Sequence, residues 1–324
     1  MQRPTYITGD YRISKFFNNG SRLVCGTSGL GGVRTGADET GSTDIMLYAL
    51  ERGIRVFDTA PSYSNAQECL GKALKRWNGP LPFISTCVGR LKAGEADEVI
   101  VDYRPGMMRK RLVESLDIMG IEKVDLLFLS EPNRIPSDRM DEILDTLKGF
   151  REEGLTDSLG IGGNPPGQFY RYVKKEHFDV LSGCHKLNAC NLDGLRDYIP
   201  LIKQEGIGFY NASVLHMALL GSRLEQFSRE RPDSARITNK DVDTAVLASR
   251  IAARNNLTLS GMAIRFALSM EESDRVVIGP GKMGQMKEAI DSWEAGPLVE
   301  NIFNEVIDNI IKFDRQAATK HKQL

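Results

Sequence analysis

The sequence predicts an α/β fold, a (β/α)8 TIM barrel, on three observations. Short runs rich in apolar and β-branched residues alternate with longer segments of helical spacing along the 324 residues. Most of these short runs are apolar on both faces, as expected for parallel strands buried between a barrel interior and an outer layer of helices. No low-complexity linker divides the chain. We therefore expect a single domain over residues 1–324.

Eight short runs are predicted as strands, each followed by a segment that suits a helix. The runs are Leu23–Gly26, Ile54–Thr59, Phe83–Val88, Val124–Ser130, Ser158–Gly162, Val180–Cys184, Gly208–Ser213 and Arg275–Ile278. Clear helical stripes occur in Met107–Met119, Met140–Glu153 and Val242–Asn256. The segment 222–241 is rich in Arg, Asp, Ser and Pro and longer than an ordinary loop. We interpret it as an insertion on the strand-end face that covers the site.

An open, doubly wound sheet is the main alternative to a barrel. Its dinucleotide-binding turn would carry the pattern GxGxxG directly after the first strand. Residues 26–32 read Gly-Thr-Ser-Gly-Leu-Gly-Gly, which is not that pattern, and no acidic ribose partner follows at a convincing place. These observations favour the barrel.

Composition excludes several classes of function. The formal net charge of -1 gives no electrostatic reason to expect nucleic acid or an anionic membrane as a partner. No apolar stretch approaches the roughly 20 residues of a membrane helix, and residues 1–6 have no apolar core for a secretion signal. Five cysteines without CxxC spacing favour reduced thiols in a cytoplasmic protein, and no metal site is expected. The oligomeric state is left open.

Polar residues follow several of the predicted strands at their C-terminal ends, which is where active sites of such barrels lie. We expect these positions to converge on one pocket that takes a small-molecule substrate. They are Asp58, Tyr63, Cys87, Ser130, Glu131, Gly163 and Asn164.

The run 55–63, with Asp58 and Tyr63, resembles the signature of the aldo-keto reductases. The resemblance covers nearly the whole chain and is closest to the sugar and pyridoxal-type dehydrogenases. The runs 83–90 and 124–132 match the strands that carry the family's catalytic Lys and His, with Cys87 and Ser130 in those places. In the family, the Tyr exchanges a proton with the substrate oxygen, the Lys lowers its pKa, and the His orients the carbonyl. The resemblance therefore implies hydride transfer from NADP or NAD by an altered catalytic set.

The cofactor-binding part of the family pattern matches this sequence better than the catalytic part does. Resemblance places Asn164 at the carboxamide, with Gly163 where the family has Ser, and it assigns further cofactor contacts to Ser213, Gly221, Gly279, Gly281, Lys282, Gln285 and Glu288. The glycines of the late segment allow close backbone approach, and the helix that follows offers an N-terminus to an anion. A lysine there supplies a point charge for a phosphate. The choice between NAD and NADP is left open.

The missing Lys has a consequence for Tyr63. A nearby cation lowers a tyrosine pKa, whereas Asp58 alone raises it, so Tyr63 remains a proton donor but a poor base near pH 7. Hydride transfer to a small hydroxylated carbonyl or aldose is our first hypothesis. A redox-neutral dehydratase, lyase or isomerase using Asp58 or Glu131 as base is the second, and a catalytically silent cofactor binder is the third.

Several residues keep two interpretations. Cys87 is either an inert, small buried side chain or a reactive thiol. Glu131 either replaces a structural Asp or acts as acid or base. Arg90 either lies on the surface or meets an anionic or polyhydroxylated substrate. His185 and His216 follow predicted strands, and we expect that both could reach the mouth of the pocket as substrate contacts.

Overall fold

The computed structural model describes residues 2–14, 16, 20–32, 36–91, 99–232, 234 and 236–321, with side chains up to Arg315. In these residues eight parallel strands close into a barrel in chain order, and a short antiparallel hairpin, β4–β5, stands beside it. The barrel prediction is confirmed. The strands are β1 (Leu23–Gly26), β2 (Val56–Asp58), β3 (Phe83–Val88), β4 (Arg90–Leu91), β5 (Ile100–Val101), β6 (Val124–Ser130), β7 (Thr156–Gly162), β8 (Val180–Cys184), β9 (Gly208–Ala212) and β10 (Arg275–Ile278).

Five of the eight barrel strands have the predicted bounds, and three differ by one or two residues at an end. Strand β2 is shorter than the predicted run at both ends, and β7 begins two residues earlier, at Thr156. Strand β9 ends at Ala212 and not at Ser213, because Ser213 has a φ of 57° and leaves the extended conformation.

The helices lie between the strands, as the alternation predicts. Helix α3 begins at Pro105, whose fixed φ suits a first helical position. Helix α8 begins three residues before the predicted start because Thr238 and Asp241 form a capping box. The helices in the described residues are α1 (Glu39–Glu51), α2 (Ala66–Arg76), α3 (Pro105–Met119), α4 (Met140–Glu152), α5 (Gly194–Asp197), α6 (Ile199–Glu205), α7 (Leu224–Glu230), α8 (Asn239–Arg254), α9 (Leu259–Leu268), α10 (Met283–Glu294) and α11 (Glu300–His321).

The hydrophobic core has two parts. A small cluster fills the barrel interior, where the rings of Phe128 and Tyr210 meet edge to face at 5.7 Å. A larger cluster lies between the strands and the surrounding helices. Across the part of the chain that is described, none of the helices has the length and apolar character to cross a membrane.

Two buried arginines close the N-terminal end of the barrel. Arg22, just before β1, donates to the carbonyl oxygens of Leu268 at 2.8 Å and Met270 at 2.9 Å, and also to that of Ser273. Arg275, the first residue of β10, is fully buried and lies over the ring of Phe83, 4.2 Å from its centroid. Each guanidinium therefore has several partners that offset the cost of burying its charge.

The predicted insertion 222–241 contains a helix of its own, α7. Positions 233 and 235 of this segment lie outside the described residues. Beyond α7 the chain passes Arg236, whose charge acts on Cys184 and His185 at the end of β8. The end of the segment therefore borders the C-terminal face of the barrel.

Candidate active site

Three neighbouring strands bring the predicted catalytic positions to one edge of the barrel. Strand β3 pairs with β2 on one side and with β6 on the other, and all three run in the same direction. Asp58 is the last residue of β2, Ser130 is the last residue of β6, and Cys87 is one residue from the end of β3. Tyr63 follows β2 and packs against the interior cluster that contains Cys87. The structure thus gathers the four side chains at the C-terminal end of the barrel, which we call the mouth.

Asp58 carries a negative charge that has one hydroxyl partner. The Ser85 hydroxyl donates to its Oδ1 at 2.6 Å. Burial raises the Asp58 pKa to about 6, and the hydrogen bond from Ser85 only partly opposes that rise. Among the residues that the structure describes, no Lys or Arg forms an ion pair with Asp58. Sequence reasoning missed Ser85, although its position two residues before Cys87 on β3 places both side chains on the same inward face.

Tyr63 is held in its protonated form. Burial raises its pKa above the ordinary value, Asp58 and Cys87 raise it further, and the charge of Arg90 lowers it in part. The direction agrees with the expectation from the missing Lys, but burial and not Asp58 is the largest cause. Near pH 7 the phenol can therefore donate a proton and is a poor acceptor.

Cys87 is a neutral thiol in this environment. Its side chain is 7% exposed, and burial raises its pKa to about 11, with a hydrogen bond from Ser130 acting in the opposite direction. A thiolate is the reactive form of cysteine, so these surroundings favour the inert interpretation. Position 87 is therefore uncharged near pH 7.

Arg90 and Glu131 form a half-buried ion pair beside this group, with Nη1 and Oε1 3.0 Å apart. Glu131 has a φ of 55°, and its backbone is held by Tyr103, whose hydroxyl lies 3.0 Å from the carbonyl oxygens of Ser130 and Glu131. The pairing makes Glu131 the partner of Arg90, which fits a positioning role better than that of a free base. Tyr103 is a second residue that sequence reasoning did not assign to the site.

Asn164 links the ends of two strands. Its Nδ2 donates to the carbonyl oxygen of Cys184, and the Cys184 backbone N–H donates to its Oδ1, both at 2.9 Å. An amide side chain has two N–H hydrogens and two oxygen lone pairs, so one of each remains for a ligand. Gly163 before it has a φ of 119°, a conformation that side-chain-bearing residues rarely adopt.

The predicted phosphate-binding segment forms the turn from β10 into α10. Lys282 is the exposed N-cap residue of α10, and no side chain caps the helix. The Gln285 side chain accepts from the Gly281 backbone N–H at 2.7 Å and shapes the turn. At Gly279 a Cβ would lie 3.0 Å from the Ser28 Oγ, so the two loops approach closely. An uncapped helix N-terminus with a lysine is suited to a phosphate.

Three further predicted residues are all partly exposed. Glu288 accepts from the hydroxyls of Thr258 at 2.6 Å and Ser260 at 2.7 Å. Ser213 and Gly221 lie in the segment that follows β9. All three remain predicted cofactor contacts.

His185 and His216, both predicted to reach the mouth of the pocket, lie in two different environments. His216 is 1% exposed and its Nδ1 lies 3.0 Å from Asn188 Nδ2, so the prediction that it reaches the mouth is wrong. The backbone at His216 adopts a φ of 49°. His185 is partly exposed, and burial, followed by His216 and Arg236, lowers its pKa to about 4. It is therefore neutral near pH 7.

Comparison with known proteins shows the family of the chain. Residues 22–311 match the model of the Aldo/keto reductase family. L-galactose dehydrogenase from Arabidopsis thaliana is 29% identical over 280 residues, covering 83% of each chain. D-arabinose 1-dehydrogenase from Saccharomyces cerevisiae is 27% identical over 265 residues, covering 78% of this chain and 76% of the relative.

Solved structures give the same fold. The glycerol dehydrogenase from Gluconobacter oxydans superimposes with a TM-score of 0.74 at 21% identity, covering 96% of this chain and 95% of the other. The family match spans most of the chain, from β1 into α11. The chain therefore belongs to the aldo/keto reductase family, whose members are NAD(P)-dependent oxidoreductases.

Proposed function

We propose that the protein transfers hydride between NAD or NADP and a small hydroxylated carbonyl compound of the aldose type. The observation that carries the proposal is the meeting of Asp58, Tyr63, Cys87 and Ser130 at the ends of three adjacent strands. The similarity to relatives named as sugar dehydrogenases supports the substrate class. The arrangement keeps the family's proton-donating phenol and lacks its cation.

The described residues fit a dinucleotide. Lys282 and the uncapped N-terminus of α10 would hold a phosphate, and the turn of Gly279 and Gly281 gives backbone access to it. The unused N–H and lone pair of Asn164 would take the carboxamide. When bound, the nicotinamide supplies or accepts the hydride.

The chain's own residues handle the proton. Tyr63 donates its phenolic proton to the substrate oxygen during reduction, and its raised pKa keeps that proton in place. Oxidation needs the same phenol as a base, so we expect the oxidation rate to rise with pH through the neutral range. The Arg90–Glu131 pair offers donors and an acceptor to substrate hydroxyl groups at the edge of the pocket.

A redox-neutral reaction is the second candidate, and one observation favours it. The Asp58 pKa of about 6 lies close to working pH, which suits a carboxylate that takes and returns a proton next to a carbonyl. In that reaction Tyr63 would assist the leaving oxygen. A lyase or isomerase would not exchange hydride with a nicotinamide cofactor from solution.

Cofactor titration separates these candidates. Fluorescence quenching with NADH and with NADPH should give a saturable signal, and Lys282→Ala should weaken it. Lys287→Ala is the matched control, because this lysine lies on the same helix but faces the ring of Tyr48 at 5.8 Å. A panel of aldoses and aldehydes then tests turnover by absorbance of the reduced cofactor. No binding of either dinucleotide at millimolar concentration would remove the oxidoreductase proposal.

A further inference from the structure

A buried group of polar side chains lies beside the strand ends, outside the proposed catalytic set. It consists of Asn188, Cys190, His216 and Asp241, which are 0%, 0%, 1% and 2% exposed, and we call it the His216 cluster. Its members come from the loop after β8, the turn after β9 and the first turn of α8. The proposed hydride transfer uses none of them directly.

Hydrogen bonds fix the tautomer of His216. Asn188 Oδ1 accepts from the Cys190 backbone N–H at 3.0 Å and lies 3.1 Å from its thiol, and Asn188 Nδ2 donates to the carbonyl oxygen of His185 at 3.1 Å. The amide therefore has one orientation, because its reversal would place donor against donor and oxygen against oxygen. Since Nδ2 also faces His216 Nδ1, that nitrogen is the acceptor and Nε2 carries the hydrogen.

This tautomer argues against a metal in the cluster. Ligand atoms of Cys190, His216 and Asp241 lie within 4.8 Å of one another, a spacing that could suit a metal ion. Coordination would require the lone pair of His216 Nε2, which instead carries a hydrogen toward Asp241 Oδ2, 3.7 Å away. Asp241 is already engaged, because it accepts from the Thr238 N–H and hydroxyl at 2.8 Å each. The cluster is better explained as a fixed support.

What the cluster supports is an unusual turn. His216, Met217 and Ala218 have successive φ values of 49°, 56° and 65°, and we call these three residues the left-handed turn. L-residues rarely adopt this conformation in sequence, because each Cβ approaches the next carbonyl oxygen. Backbone bonds close the turn, from the His216 N–H to Ser213 O at 2.8 Å and from the Leu219 N–H to His216 O at 3.1 Å. The surroundings must offset the strain.

We propose that His216 is a positioning residue that holds the left-handed turn, and with it the segment from Ser213 to Gly221, in the shape that receives the dinucleotide. The ligand part of this inference rests on the proposed function. His216 is the first residue of the left-handed turn, and its Nδ1 ties that turn to the β8 loop through Asn188. Its buried Nε2 has no hydrogen-bond partner among the described residues and lies 3.7 Å from Asp241 Oδ2 of α8. Met217 and Ala218 have no polar side chain that could do the same.

Four proteins test the inference: the wild type, His216→Ala, His216→Gln, and His216→Ala combined with Ala218→Gly. Two readouts are used, amide hydrogen exchange of peptides spanning 213–223 without cofactor, and the Kd for NADH and NADPH. We expect His216→Ala to speed exchange in that segment and to raise the Kd, each about tenfold, which corresponds to about 1.4 kcal/mol. The glutamine, which retains an acceptor and a donor, should restore part of both.

The double variant gives the sharpest result. Glycine accepts a φ of 65° without steric cost, so Ala218→Gly should recover part of the lost protection and affinity in the His216→Ala background. Leu147→Ala, a buried change on α4, is the control for general loss of stability and should leave exchange of 213–223 unchanged.

Two outcomes overturn the inference. The first is an amide exchange rate in 213–223 that stays within twofold of the wild type in His216→Ala. The second is an equal increase of that rate in the Leu147→Ala control. Failure of the wild type to bind either dinucleotide is a different result, because it removes the proposed function and the ligand part together. The exchange measurement still decides in that case whether His216 holds the turn.

Discussion

The two ends of this barrel bury charge in different ways. At the N-terminal end, Arg22 donates to several backbone carbonyls, and Arg275 lies against Phe83 and donates to the Tyr210 hydroxyl. At the C-terminal end, Asp58 has the Ser85 hydroxyl as its hydrogen-bond partner, and the neighbouring position 87 is an uncharged thiol. The first end is built for stability, and the second leaves a charge poorly compensated where the chemistry is proposed to occur.

The two ends differ in the groups that compensate a buried carboxylate, and not in how far the carboxylate pKa is raised. Asp274, at the N-terminal end, also has its pKa raised to about 6 by burial. There the backbone N–H of Phe209 and the charges of Arg22 and Arg275 act against the rise. At Asp58 only the bond from Ser85 does so. A carboxylate that keeps a perturbed pKa without a cation is typical of a functional site.

The largest expected effect is at the N-terminal end. Arg22→Met keeps the apolar stem but leaves buried carbonyls of Leu268, Met270 and Ser273 without a donor, which should cost about 3 kcal/mol or more of unfolding free energy. Urea unfolding measures the loss. Arg76→Met, at a side chain 57% exposed, is the control and should change stability by less than about 0.5 kcal/mol. A loss below about 1 kcal/mol for Arg22→Met would contradict the stabilising role of this end.

The next effect is on activity at the mouth. Tyr63→Phe keeps the ring and deletes the proton donor, so kcat for carbonyl reduction should fall by about 10² or more. The melting temperature should change little, because the ring still packs against the interior cluster. An unchanged kcat would move the proton-donating role to another group, with Asp58 the first to examine.

The smallest of the three effects is a gain in stability at the mouth. The folded pKa of Asp58 is about 6 and the ordinary value is 3.8, so the folded protein binds the proton more tightly than the unfolded chain. This tighter proton binding stabilises the folded protein at low pH, and the stabilisation is lost as pH rises from about 4 through 6. Asp58→Asn should therefore stabilise the protein by about 1 kcal/mol at pH 8 and by less at pH 5.

Thermal unfolding at both pH values checks this prediction. The expected effect is small because Asp58 is partly exposed, and solvent screens its charge. Asparagine retains an oxygen for the Ser85 hydroxyl, so the hydrogen bond itself is kept. A lower melting temperature at pH 8 for Asp58→Asn would show that the carboxylate is stabilised in the native protein, against the proposed contrast.

The sequence predicted the fold well because strands buried on both faces are mostly apolar, as in Val124–Ser130, where Asp125 and Ser130 are the two polar residues. The start of α8 was missed although the spacing of Thr238 and Asp241 is a capping signal. Strand ends that depend on backbone conformation are harder to predict. At Ser213, for example, the residue type does not indicate a φ of 57°.

The candidate site was predictable where it follows strand ends and not where it depends on contacts between distant segments. Asp58, Tyr63, Cys87 and Ser130 could be placed because the barrel brings the C-terminal ends of its strands together. The inward turn of His216 could not, because it depends on Asn188, 28 positions earlier in the chain. Tyr103 supports the end of β6 by a similar long-range contact.

The most direct test of the central claim is the pH dependence of kcat/KM for aldehyde reduction in the wild type and in Cys87→Lys. The claim is that position 87 holds no cation beside Asp58 and that burial keeps Tyr63 protonated, with Arg90 opposing this only in part. It predicts no alkaline fall in the wild type up to about pH 10. A lysine at position 87 would offset Asp58 and lower the Tyr63 pKa, so the variant should be faster at pH 7, by about 10² or more, and should gain an alkaline fall. A wild type that already falls near pH 8, with a profile that Cys87→Lys does not move, would contradict the claim.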